Sequence, residues 1–204
     1  MAVKEKLKKL WWFIWEDDSV LSWIVNIVLA FVVIKFVVFP GLGWILGTNY
    51  PIVAVVSDSM EHSGSFDSWW SIHEKFYNNL VISKEDFIEY RFANGFNKGD
   101  IMILRGVQPE DVQIGDVIVF RNSQPDPIIH RVVKRWTVNG TYHFQTKGDK
   151  NLASIPFSHV NEIDIVEERV VGRAALRIPI VGYIKIWAFD LFKLIVGGVQ
   201  RVLS

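Results

Sequence analysis

Residues 128–151, IIHRVVKRWTVNGTYHFQTKGDKN, decide the fold. Two runs rich in β-branched and aromatic side chains flank Asn139-Gly140, and the type I′ turn that joins such runs needs positive φ at both central residues. The stretch therefore predicts an antiparallel hairpin in which His130 shares a face with Ile128 and Val132. His130 stands nine residues before Asn139 and Asp149 nine after Gly140, so an ideal register sets the two nearly opposite. A carboxylate placed there would hold the imidazole in one tautomer and stabilise its protonated form. The competing reading is a core histidine satisfied by a backbone carbonyl.

Working outward, PIVAVVS (51–57), DIMILRGV (100–107), DVIVFRN (116–122) and IDIVEERVVGR (163–173) also read as strands. Gly99-Asp100 and Gly115-Asp116 stand as turn residues just before two of them. The expected fold class is mainly β, over 49–177. Residues 61–97 break the pattern with Trp69, Trp70, Phe76, Tyr77, Phe87 and Tyr90, and Ser83 and Asp86 have the spacing of a capping box. They predict a helical insertion whose aromatics form a satellite core, a reading preferred to contact with lipid headgroups.

Upstream, residues 20–39 read VLSWIVNIVLAFVVIKFVVF, with Lys35 the sole charge, a length that spans a bilayer. Lys4, Lys6, Lys8 and Lys9 precede it and no further Lys or Arg follows Lys35 until Lys75. The positive-inside bias puts the N-terminus in the cytoplasm and the β domain outside. Residues 1–48 are thus a cytoplasmic N-terminus and transmembrane anchor, with a helix break expected at Pro40. Residues 178–204 form a second apolar stretch whose Asp190, Lys193, Gln200 and Arg201 make one thin polar stripe. This helix either lies in the outer interface or crosses the membrane. A Lys35–Asp190 ion pair is one use of the stripe; snorkelling of Lys35 is the simpler one.

Composition narrows the chemistry. Lys plus Arg and Asp plus Glu each number 22, so no electrostatic footprint for nucleic acid exists. The absence of cysteine excludes disulfides, thiolate metal sites and a thiol nucleophile, and the scattered histidines indicate no metal site. Covalent catalysis would have to use oxygen or nitrogen. Ser57-Asp58-Ser59-Met60 follows a strand and places a serine for exposure, and His62, His73, His143 and His159 compete with His130 for a basic role.

SDSM near an N-terminal anchor, then GDVIVF, HRVV and TKGDKN in that order, resembles type I signal peptidases of the archaeal and endoplasmic-reticulum branch. The resemblance covers most of the chain, and EHSGSFDSWW and GRAALRIPIVGYIKIW add to it. It implies coiled antiparallel β-sheets, Ser59 as nucleophile, His130 as base where the bacterial branch has lysine, and a Gly148-Asp149 box with Lys150 in place of Asn. It further implies an oxyanion hole of the Ser59 N–H and the Ser57 hydroxyl, no cofactor, and a cell-membrane location. The implied partners are signal peptides of exported preproteins, the lipid bilayer and the protein-translocation channel. The branch carries a second aspartate some six residues past Gly-Asp, where this chain has Leu152-Ala153-Ser154-Ile155-Pro156. The next acids are Glu162 and Asp164, so Asp149 orients His130, or a Ser-His dyad works alone, or a later acid folds back. A catalytically inactive relative, a non-enzymatic scaffold and a self-cleaving repressor-type peptidase are the rival readings.

Overall fold

The computed structural model describes residues 2–123, 126–156 and 160–179, and the chain divides into two compact units after Ile45. In the first, α1 (Ala2–Trp15) is followed by α2 (Val20–Val33), capped by the Ser19 side chain, which accepts from the Ser22 N–H. Two polar residues of the apolar helix tie it to α1: Ser22 Oγ donates to Phe13 O at 2.6 Å and Asn26 Nδ2 to Ile14 O at 2.9 Å. Lys35 Nζ lies over the rings of Phe31 and Phe36.

The expected break at Pro40 does not occur. A π-helical stretch, Ile34–Val38, leads into α3 (Phe39–Leu46), so Val20–Leu46 is one 27-residue helix long and apolar enough to cross a membrane. Proline lacks an N–H and its ring crowds the carbonyl four residues back. The wider π turn, with Phe39 N–H bonded to Ile34 O, absorbs the conflict without ending the helix. The stretch from 180 onward, and with it the Lys35–Asp190 pairing, lies outside the described residues.

The second unit is built on a seven-stranded antiparallel sheet, and the expectation of a mainly β fold holds. Its strands are β1 (Ile52–Ala54), β2 (Ile101–Arg105), β3 (Val117–Phe120), β4 (Ile128–Val138), β5 (Thr141–Lys147), β6 (Ile165–Val166) and β7 (Val170–Ile178). Their spatial order is β1-β2-β7-β3-β4-β5-β6. The β4–β5 hairpin turns at Asn139 and Gly140, whose φ values of 50° and 86° are the pair the turn demands. A bulge at Val133 interrupts it: beyond Lys134↔Gln145 the pairing slips to Val132↔Thr146 and Arg131↔Lys147. A 3-10 turn at Glu167–Arg169 divides the single strand read over 163–173 into β6 and β7.

Strand β3 is buried on both faces. Val117 and Val119 point into one core with Val55, Met60, Met102 and Leu104, while Ile118 and Phe120 point into another with Val132, Phe144 and Ile165. The insertion forms α4 (Phe66–Asn78) and α5 (Lys84–Glu89), and the Ser83–Asp86 capping box is present. Its aromatics make the satellite core of Trp69, Trp70, Tyr77, Ile82 and Phe87 against Val133. Fully burying a ring such as Phe87 contributes about 1.5–3 kcal/mol, enough to hold two short helices on the sheet.

Candidate active site

After β1 the chain leaves the sheet edge and turns at Asp58, where Glu61 N–H bonds Asp58 O at 3.0 Å. Met60 is buried in the main core, its carbonyl accepts from Phe96 N–H at 3.0 Å, and the Ser59 carbonyl accepts from Lys150 N–H at 2.8 Å. Both neighbours of the Ser59 side chain are thereby pinned. Its Oγ lies 2.9 Å from His130 Nε2 and 3.1 Å from Ser57 Oγ.

The other ring nitrogen, His130 Nδ1, hydrogen-bonds Glu162 Oε1. Glu162 is fully buried; its second oxygen accepts from Ile155 N–H at 2.7 Å, and its backbone accepts from Thr146 N–H at 2.8 Å. An acid anchored at both ends holds the imidazole in one orientation. The result is an unbroken line of hydroxyl, imidazole and carboxylate. Gly148 completes the fit: a Cβ there would stand 2.9 Å from both His130 Nε2 and Ser59 O, so only glycine lets the loop pass this close.

Three stretches of backbone, the turn after β1, the β4 strand and the loop before β6, thus meet at one point. No family model matches the chain. The chain is 28% identical over 155 residues to the signal peptidase complex catalytic subunit SEC11 of Fusarium vanettenii, covering 74% of this chain and 71% of that protein. It is 29% identical over 157 residues to the subunit of the same name from Leptosphaeria maculans, covering 74% and 70%. With the human subunit SEC11C it shares 28% identity over 159 residues, covering 76% of this chain and 66% of that one. The chain is a homologue of these signal peptidase subunits.

In this signal peptidase homologue Asp149 does not face His130, and the expected pairing is corrected. The Val133 bulge shifts the register by one residue, and a one-residue slip sends a side chain to the other face. Asp149 accepts instead from Arg131 Nε at 2.9 Å and Nη2 at 2.7 Å, and lies 3.0 Å from His62 Nε2. Burial alone would raise the Asp149 carboxyl, but the Arg131 charge and the bonds from His62 and Arg131 outweigh it and hold it well below the usual carboxylate range. Arg131 spends its remaining donors on the carbonyls of Arg91, Gly115 and Phe92. This cluster fastens the insertion to the sheet.

Among the described residues the other histidines have partners other than Ser59. His62 stacks on Trp69 with ring centroids 3.7 Å apart, and His143 Nδ1 lies 2.6 Å from Asp164 Oδ1. His73 packs on Trp69, where burial, helped by the Lys147 charge, pushes it down to about 4; His159 is outside the described residues. Glu162, Arg131 and Gly148 are the residues whose parts sequence reasoning left unassigned. Glu162 carried only the signal of being among the next acids in the chain. Among the described residues no group of three or more His, Asp or Glu side chains is arranged to hold a metal ion.

Proposed function

We propose that the chain is a membrane-tethered serine endopeptidase that removes signal peptides from preproteins, with Ser59 as nucleophile, His130 as general base and Glu162 as the acid that orients it. The observation that carries this reading is the continuous Ser59–His130–Glu162 hydrogen-bonded line. In acylation Ser59 Oγ attacks the scissile carbonyl while His130 Nε2 takes its proton. Glu162 stabilises the imidazolium, which then protonates the leaving amine. Water, deprotonated by the same imidazole, frees the acyl group. The oxyanion falls to the Ser59 N–H and to the Ser57 hydroxyl, which the 3.1 Å contact already holds beside the nucleophile.

Strand β1 is the edge of the sheet and runs directly toward Ser57. An extended substrate would add beside it through backbone hydrogen bonds. The Val20–Leu46 helix supports anchoring in the membrane. The lysines at 4, 6, 8 and 9 favour a cytoplasmic N-terminus with the β domain outside the cell membrane. Lipid contact and docking beside the translocation channel, where signal helices emerge, follow from that placement.

The test is cleavage of a membrane-inserted preprotein by the purified full chain. Wild type is expected to cut, and Ser59→Ala and His130→Ala to lose ~10⁴–10⁶-fold in kcat with an unchanged circular dichroism spectrum. A Ser59→Ala protein as active as wild type would overturn the assignment.

A further inference from the structure

At the end of β2 that lies away from Ser59, a cavity of about 430 Å³ is lined by Arg91, Arg105, Asp116, Arg173 and Ala175. Arg105 and Arg173 are direct partners across the β2–β7 ladder, a like-charge juxtaposition that destabilises a sheet when nothing bridges it. Asp116 neutralises Arg173, its Oδ2 lying 3.0 Å from Nη1, and Arg91 Nη1 donates to Ala175 O. Among the described residues the Arg105 guanidinium has neither a hydrogen-bond acceptor nor an ion-pair partner. Three guanidinium groups to one carboxylate leave the cavity cationic, with forked donors suited to phosphate oxygens.

The neighbour of Arg105 locates this cavity. Gly106 N–H donates to Leu46 O at 2.7 Å, and Leu46 is the last residue of the 27-residue apolar helix. At about 1.5 Å per residue that helix is about 40 Å long, against a hydrocarbon core of about 30 Å, so its final turns reach the headgroup layer.

We propose that the Arg91–Arg105–Arg173 cavity binds the phosphate of an anionic lipid headgroup and so seats the β domain on the membrane surface. The bound phosphate bridges Arg105 and Arg173 and relieves their repulsion. The site is separate from the Ser59 centre, so its failure leaves the peptidase reading intact.

Thermal unfolding of the full chain in a neutral detergent tests this, with dioctanoyl phosphatidylglycerol, dioctanoylglycerol and inorganic phosphate added separately at matched ionic strength. Phosphatidylglycerol is expected to raise Tm saturably, and Arg105→Gln to weaken its apparent Kd by about tenfold or more. Arg105→Lys, which keeps the charge but not the fork, should fall between. Preprotein cleavage by Arg105→Gln should match wild type, and its lipid-free Tm should equal or exceed that of wild type, because the charge facing Arg173 is gone. Inorganic phosphate alone reproducing the shift would assign the cavity to a soluble anion and overturn the lipid reading. An equal response to dioctanoylglycerol, or from Arg105→Gln, would overturn the phosphate site altogether.

Discussion

His130 and Arg131 are adjacent in one strand, yet each centres a different buried cluster. Around Arg131 every donor is used: five hydrogen bonds reach Asp149 and the carbonyls of Arg91, Gly115 and Phe92. Lys147 stands nearby with Nζ 3.2 Å from Tyr77 Oη and from the carbonyls of Gly148 and Asp149. Around His130 the chain of bonds ends on the Ser59 hydroxyl, beside exposed Ser57. A saturated network holds structure, because any change leaves a buried charge unpaired. A network that ends on a reachable hydroxyl has a proton to move.

The largest contrast is expected between the two acids. Glu162→Gln should lower kcat by about 10⁴-fold, the scale seen when an orienting carboxylate is neutralised. The loss should fall on kcat with KM little changed, a split that loss of a merely structural acid would not produce. Asp149→Asn should instead destabilise the fold by about 3–5 kcal/mol, the usual cost of removing one partner from a buried ion pair. Urea unfolding monitored by tryptophan fluorescence measures it. A stable Asp149→Asn protein with kcat reduced and KM unchanged would break the division between the clusters.

The sign of the Asp149 effect also follows from its depressed carboxyl. A group held low in the fold contributes stability that is fully present above its unfolded value, 3.8, and is lost as pH falls below it. The gap between wild type and Asp149→Asn should therefore persist from neutral pH to about 4 and close in stronger acid.

Ser57→Ala sharpens the comparison from the catalytic side. The side chain is exposed, so Tm should not move, while kcat should drop by about 10²–10³-fold through loss of an oxyanion donor. The smallest effect is expected at Lys147, which burial pushes down to about 8 from 10.5, against the opposing pull of Asp149. Between those values the unfolded chain binds more protons than the folded one, so stability rises with pH. The Tm of wild type should climb relative to Lys147→Met across that window.

Much of this molecule was legible because its causes are local. The Asn139-Gly140 turn follows from the φ values two residues must adopt, the Ser83–Asp86 cap from a three-residue spacing, and the apolar helix from length and composition. Ser59 and His130 stood out as short strings, and the structure brings them together. Pro40 misled because a helix can widen to a π turn instead of ending, a choice set by continuation of the apolar face through α3.

The third member of the site was decided only in three dimensions. An ideal hairpin would have set Asp149 against His130, but one extra residue at Val133 turned it toward Arg131. That bulge places Val133 in the satellite core formed by the insertion, a partner far away in sequence. Glu162 then reaches His130 through pairing of its backbone with Ile155 and Thr146. Local pattern determines which residues can do chemistry; register and loop closure, which depend on distant packing, determine which of them meet.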